Sequence, residues 1–237
     1  MNPGKNIPMR ERLIFALDVA NAAAARALVE RLGDAVRFYK IGLELFMSGG
    51  YFELLDWLVA RDRRVFVDLK FFDVPATVAA AVRGLRDRGV TFATVHGNQS
   101  IMEAAAKAKG DVKILAVTVL TSLDRGDLDD LGFAVDVEAL VLSRARRALE
   151  AGCDGVISSG LEAKLLRREL DSRLLVVTPG IRPVENRPAD DQKRVVTVED
   201  AFANGADYIV VGRPIRDAAD PRTAAEQIQA SIAAVFT

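Results

Sequence analysis

The residues best suited to chemistry are three charges in the run Asp68-Leu69-Lys70-Phe71-Phe72-Asp73, which follows the apolar stretch Val65-Phe66-Val67. Alternate side chains of a β-strand share a face, so a strand here sends Phe66, Asp68 and Lys70 one way and Val67 and Leu69 the other. An acid and a base on the inward face of a buried strand are costly to desolvate unless they are paired or used. The pair reads either as an ion pair capping a strand or as a site for proton chemistry. Asp73 lies just past the strand, and Pro75 suits the first turn of a following helix.

Other charges gather at comparable points. Asp18 closes the first apolar stretch and Lys40 the second. One Asp after a strand is an ordinary turn or cap residue, but three successive strands bringing charge to one rim read as a site. Further along come Thr178-Pro179-Gly180-Ile181-Arg182-Pro183 and Val211-Gly212-Arg213-Pro214-Ile215. Their glycines allow close backbone approach, and Arg213 either grips a phosphate with its planar fork or is an exposed turn arginine. The single histidine, His96, reads as a hydrogen-bonded rim residue, since Lys70 already offers a proton. Cys153 sits in a Gly-Cys-Asp-Gly turn as a bystander, and Trp57 lies at helical spacing among aliphatics, as a core residue does.

The elements that must position these groups alternate from end to end. The pattern predicts strands over 13–18, 36–41, 65–70, 92–96, 113–119, 155–158, 174–178 and 208–212. It predicts helices over 22–32, 51–61, 76–88, 101–109, 137–151, 163–170, 198–204 and 221–235. Gly89, Gly152 and Gly205 stand where helices should stop before strands begin. Eight βα units predict a single-domain (β/α)8 TIM barrel over residues 1–237. An open doubly wound sheet fits less well, because no Gly-x-Gly-x-x-Gly follows the first strand. Two longer excursions, 121–136 and 180–197, leave the C-terminal ends of strands, where barrel active sites are built.

Composition narrows the function. Half of the 237 residues are hydrophobic, 27% are charged and the formal net charge is −1, which gives no bulk attraction to nucleic acid or an anionic membrane. No apolar run is long enough to span a bilayer, and residues 1–6 are polar where a signal peptide would be hydrophobic, so a cytoplasmic protein is expected. One cysteine allows no internal disulfide and suits a reducing compartment. One His and one Cys cannot build a histidine- or thiolate-rich metal site, although carboxylates alone can hold Mg²⁺.

From Leu13 to the C-terminal helix the chain resembles the orotidine 5′-phosphate decarboxylase family. The most specific element is Asp68-x-Lys70-x-x-Asp73-x-Pro75-x-Thr77, supported by Leu17-Asp18-Val19, Lys40-Ile41-Gly42, Val119-Leu120-Thr121-Ser122, Gly180-Ile181-Arg182-Pro183, Asp191-Gln192 and Val211-Gly212-Arg213-Pro214. His96-Gly97-Asn98-Gln99 departs from the His-Ala-x-Gly-Gly expected in the family.

The resemblance implies cofactor- and metal-independent decarboxylation of orotidine 5′-phosphate to UMP by a homodimer with active sites at the subunit interface. Lys70 would protonate C6, Asp68 would crowd the substrate carboxylate, and Lys40 would join the charge network. Asp18 and Lys40 would hold ribose hydroxyls, joined by Asp73 and Thr77 from the partner subunit. Thr121 and Ser122 would meet the pyrimidine edge. Gln192, Gly212 and Arg213 would bind the phosphate with Arg182 close by, and 180–197 would serve as a lid. The rival within the suprafamily is a Mg²⁺-dependent 3-keto-L-gulonate 6-phosphate decarboxylase, against which Pro75-x-Thr77 and Asp191-Gln192 speak. A phosphopentose epimerase lacks its metal-binding histidines here. A non-catalytic nucleotide-phosphate-binding barrel would need neither Asp68 nor Lys70.

Overall fold

The computed structural model describes residues 5–182 and 194–236. Eight parallel strands close on themselves, each pairing with the next and the eighth with the first. They are β1 (Leu13–Ala16), β2 (Phe38–Gly42), β3 (Arg64–Phe71), β4 (Val90–His96), β5 (Lys113–Val117), β6 (Gly155–Ile157), β7 (Leu175–Thr178) and β8 (Tyr208–Val211). Around them run α1 (Ala22–Leu32), α2 (Leu43–Ser48), α3 (Tyr51–Val59), α4 (Pro75–Arg83), α5 (Gln99–Ala108) and α6 (Arg125–Asp130). The second half adds α7 (Val137–Glu150), α8 (Ala163–Glu169), α9 (Val198–Ala203), α10 (Arg213–Arg216) and α11 (Pro221–Phe236). Among the described residues no helix is long and apolar enough to cross a membrane.

The strands are apolar on both faces because each face has a core to fill. Outward residues such as Phe15, Tyr39, Val67, Ala93 and Ile114 pack with the helices in one large cluster. Inward residues form a second cluster built on Phe38, Phe66, Phe92 and Tyr208. Their rings meet mostly edge to face, with Phe92 5.2 Å from Tyr208 and 5.9 Å from Phe66 between centroids. This aromatic layer plugs the barrel. The next inward positions up the strands are Lys40, Asp68 and Thr94, so polar chemistry begins where the plug ends.

All eight expected strands form. Gly89, Gly152 and Gly205 take positive φ (70°, 84° and 101°), the conformation a stop signal before a strand requires. The differences are local. α4 ends at Arg83 rather than 88, with Gly84 as its C-cap. α2, α6 and α10 were not predicted, being single turns or little more, too short for an apolar period. α6 falls inside the excursion 121–136, started by a capping box between Asp124 and Asp127. Trp57 is only partly buried, with the guanidinium of Arg61 4.1 Å and that of Arg26 5.5 Å from its ring, so it sits at the edge of the core.

Candidate active site

The site begins with an irregularity where β3 meets β4. Val67 pairs with Ala93 and Phe71 with Val95, so Asp68, Leu69 and Lys70 together stand opposite Thr94. This bulge turns Lys70 to φ 48°, a left-handed backbone that costs a non-glycine residue about 1–3 kcal/mol. The simple alternation expected for this strand therefore ends at Asp68. Lys70 reaches the same side as Asp68 through a turn, and its Nζ donates to Asp68 Oδ2 at 3.0 Å.

Lys40, inward on β2, brings Nζ within 3.3 Å of the same Asp68 oxygen and 3.2 Å of Asp18 Oδ1. Asp18, Lys40, Asp68 and Lys70 thus form one line of alternating charge across three adjacent strands. Burial opposes both central charges, and the neighbours overcome it. Burial pulls the Lys40 ammonium down, but Asp68 and Asp18 hold it above the ordinary lysine value. Burial raises the Asp68 carboxyl, but Lys40 and Lys70, with a hydrogen bond from Thr94, hold it below the ordinary carboxylate value. Both groups stay ionised although buried, and the site keeps its charges fixed before any ligand arrives.

These side chains line a cavity of about 480 Å³ at the C-terminal ends of the strands. Gly180, Arg182, Gly212 and Arg213 border it from the ends of β7 and β8, and Thr121 and Ser122 from the loop after β5. Gly180 has φ 76°, which an L side chain would resist, so the backbone turns tightly there. Arg213 opens α10, and Arg216, also at the cavity, donates to the backbone oxygen of Asp18 at 3.0 Å. Arg216 joins the end of β8 to the end of β1. Arg182 is buried and donates to the backbone oxygen of Ile181 at 2.9 Å. Cations with a tightly turned glycine backbone on one flank, and an ammonium–carboxylate line on the other, suit a ligand with a phosphate at one end and a reacting anion at the other.

Nine of the residues singled out from the sequence therefore meet around one cavity: Asp18, Lys40, Asp68, Lys70, Thr121, Ser122, Arg182, Gly212 and Arg213. Asp73 and Thr77 do not. Both are exposed, and Asp73 Oδ1 accepts from the backbone N–H of Val74 at 2.6 Å. Gln192 and Asp191 lie outside the described residues. His96 differs from expectation: its ring packs on Phe72 at 4.6 Å and hydrogen-bonds to no other described residue. Burial, then Arg144 and Lys70, push its pKa down, which disfavours a charged imidazole. In the divergent segment after it Gly97 is tightly seated, since a Cβ there would lie 2.6 Å from the backbone oxygen of Val117, while Asn98 and Gln99 are exposed. The Cys153 thiol is buried and pushed up to about 12 by desolvation, in keeping with an inert side chain.

Three features escaped the sequence reading. Thr94 is fully buried beside Asp68, and its place two residues before His96 on an inward face is a signal that alternation carries. Arg216 follows Arg213 by three residues, so the two share a helical face. Arg194 is buried against Glu162 at 2.5 Å and donates to the backbone oxygens of Val119 (3.1 Å) and Leu120 (2.9 Å). It thereby ties the segment after β7 to the start of the loop carrying Thr121 and Ser122, and Glu162 also accepts from Ser159. Among the described residues no group of three or more His, Cys, Asp and Glu side chains is placed to hold a metal ion.

Comparison with known proteins points the same way. The model of the "Orotidine 5′-phosphate decarboxylase / HUMPS family" matches residues 11–228. The curated orotidine 5′-phosphate decarboxylase of Methylococcus capsulatus is 72% identical over 232 residues, covering 98% of this chain and 96% of the relative. That of Stenotrophomonas maltophilia is 54% identical over 234 residues, covering 97% of each. The crystal structure of the Lactobacillus acidophilus orotidine 5′-phosphate decarboxylase superposes with a TM-score of 0.82 at 35% identity, covering 94% of this chain and 99% of that one.

Proposed function

The chain belongs to the orotidine 5′-phosphate decarboxylase family, and on that premise we propose how its residues carry out the reaction. The activity is that of a carboxy-lyase of pyrimidine biosynthesis, converting orotidine 5′-phosphate to UMP. When the C6–carboxylate bond breaks, its electron pair stays on C6 as a vinyl carbanion that the pyrimidine ring does not delocalise. Lys70 is the group we assign to meet it. Its ammonium stabilises the developing charge and gives one proton to C6, leaving a neutral amine that regains a proton from solvent. Asp68 stands beside the substrate carboxylate, so repulsion between the two anions is relieved as CO₂ departs. Lys40 keeps Asp68 ionised and Lys70 in place. Reactions this slow without a catalyst call for a barrier reduction of roughly 20 kcal/mol, and a preorganised ammonium is one large part of it.

The rest of the assignment follows the same logic. Asp18 and Lys40 take ribose hydroxyls, Thr121 and Ser122 the pyrimidine edge, and Gly212, Arg213 and Gln192 the phosphate with Arg182 nearby. Phosphate contacts remote from C6 supply binding energy that serves the transition state. The chain acts as one barrel domain in the cytoplasm, and as a homodimer whose partner lends Asp73 and Thr77. What supports the dimer is the exposure of Asp73 and Thr77 beside an apolar rim. Leu43, Phe46 and Met47 on α2, with Phe72 and Val74 after β3, are all solvent-exposed on the loops of neighbouring strands.

The observation that carries the reading is Asp68 Oδ2 shared by Lys70 at 3.0 Å and Lys40 at 3.3 Å at the mouth of the barrel. The test is a spectrophotometric assay with orotidine 5′-phosphate, with and without EDTA. Turnover to UMP that EDTA leaves unchanged supports it. No turnover, or turnover restored only by Mg²⁺, would contradict it.

A further inference from the structure

We propose that Thr94 is a positioning residue for decarboxylation, its hydroxyl setting both the carboxylate of Asp68 and the backbone turn that aims Lys70. The proposal rests on the catalytic roles given above to Asp68 and Lys70.

Two hydrogen bonds meet at this one oxygen. Thr94 Oγ1 donates to Asp68 Oδ1 at 2.9 Å, and the backbone N–H of Lys70 donates to Thr94 Oγ1 at 2.9 Å. A hydroxyl has one proton to give and lone pairs to receive, so both bonds are made together and each fixes the direction of the other. The first occupies Oδ1 and leaves Oδ2 to the two ammonium groups. The second replaces a bond that the sheet cannot make. Three residues of β3 face Thr94 alone, so Lys70 N–H has lost its place in the ladder with β4, and the side chain takes over.

Lys70 keeps φ 48° only because its surroundings hold it there. Thr94 is fully buried, packed in the inward row of β4 between Phe92 and His96, and so is a stiff anchor rather than a surface contact. Without the hydroxyl, the Lys70 amide and Asp68 Oδ1 both lose the partner that the buried Thr94 supplies. Relaxation of the bulge then moves Nζ away from Asp68. Displacement of about 1 Å at a reacting group is enough to cost on the order of 10²-fold in rate.

The experiment compares Thr94→Val, which keeps the shape and removes the hydroxyl, with Thr94→Ser, which keeps the hydroxyl. Rates are measured with orotidine 5′-phosphate, melting by circular dichroism, and the Thr94→Val structure by crystallography. Expected are a fall in kcat of about 10- to 100-fold for Thr94→Val and recovery to within about threefold of wild type for Thr94→Ser, at similar melting temperatures. In the crystal Lys70 should leave the left-handed region, or Nζ should move beyond 4 Å from Asp68. If Thr94→Val does not fold, Thr94→Ala takes its place in the same comparison. A hydroxyl-free variant within twofold of wild type overturns the proposal, as does a folded Thr94→Ser no better than Thr94→Val. An undisturbed Lys70–Asp68 pair in the crystal overturns it whatever the rates. A wild-type protein inert toward orotidine 5′-phosphate is a separate result: it contradicts the assigned reaction, while the crystal still decides whether Thr94 holds the pair.

Discussion

Lys70 Nζ lies 3.0 Å from Asp68 Oδ2 although the two residues are separated by only one position along β3. Neighbours on one face of a regular strand stand about 7 Å apart at Cα with roughly parallel side chains. The left-handed turn at Lys70 folds the side chain back over Asp68, and Lys40 completes the line from β2. An ammonium and its counter-ion are therefore built into one short irregular segment. Their relative position is set by backbone, not by a flexible loop.

Arg213 provides a first check. Removing a charge-assisted grip on the phosphate with Arg213→Ala should cost about 2–5 kcal/mol in kcat/KM for orotidine 5′-phosphate. Turnover of orotidine, which lacks the phosphate, should barely change. Equal losses on both substrates would make Arg213 structural.

Asp68 links the site to stability. Its folded carboxyl titrates below the ordinary 3.8, so its ionised form stabilises the fold at higher pH and that contribution is lost as pH falls through the depressed value. Lys40, held above 10.5, keeps its contribution until pH rises beyond that point. Asp68→Asn should therefore melt below wild type from pH 5 to 9, with the gap closing below about pH 4. Thermal melts across that range decide it. A gap unchanged at pH 3, or a more stable variant at neutral pH, would contradict the charge arrangement.

The proposal that two subunits share each site can be tested by complementation. Asp73 is exposed, accepts from the Val74 N–H and does not line its own chain's cavity. Lys70→Ala and Asp73→Asn chains, each inactive alone, should recover activity when unfolded and reassembled together. Half the dimers are then mixed, and each has one intact site of two, giving about a quarter of wild-type activity for isologous, independent sites. Native mass spectrometry confirms the mixed species. Mixed dimers without activity would show that Asp73 serves its own chain.

Much of the barrel and most of this constellation were legible in the sequence, for a physical reason. In a parallel barrel the inward row changes from apolar to charged where the plug ends, and Asp18, Lys40 and Asp68 mark that change in the linear order. Gly180 and Gly212-Arg213 marked that flank of the cavity because glycine and arginine do unlike work in a turn. The bulge at Asp68–Lys70 was not legible, since it exists only through the pairing of β3 with β4. Thr94 was hidden by its type, because threonine is an ordinary strand residue and only its buried partners give it a role. The short helix α2 was hidden because its apolar Leu43, Phe46 and Met47 face solvent, leaving no buried stripe to read.

The central claim is that Lys70 supplies the proton to C6, and Lys70→Ala tests it most directly. The measurement is kcat with orotidine 5′-phosphate, made alongside circular dichroism to show that the variant folds. Loss of acid–base catalysis alone predicts a fall of about 10²–10⁴-fold with the fold preserved. A folded Lys70→Ala protein that keeps more than about a tenth of wild-type kcat would contradict the mechanism.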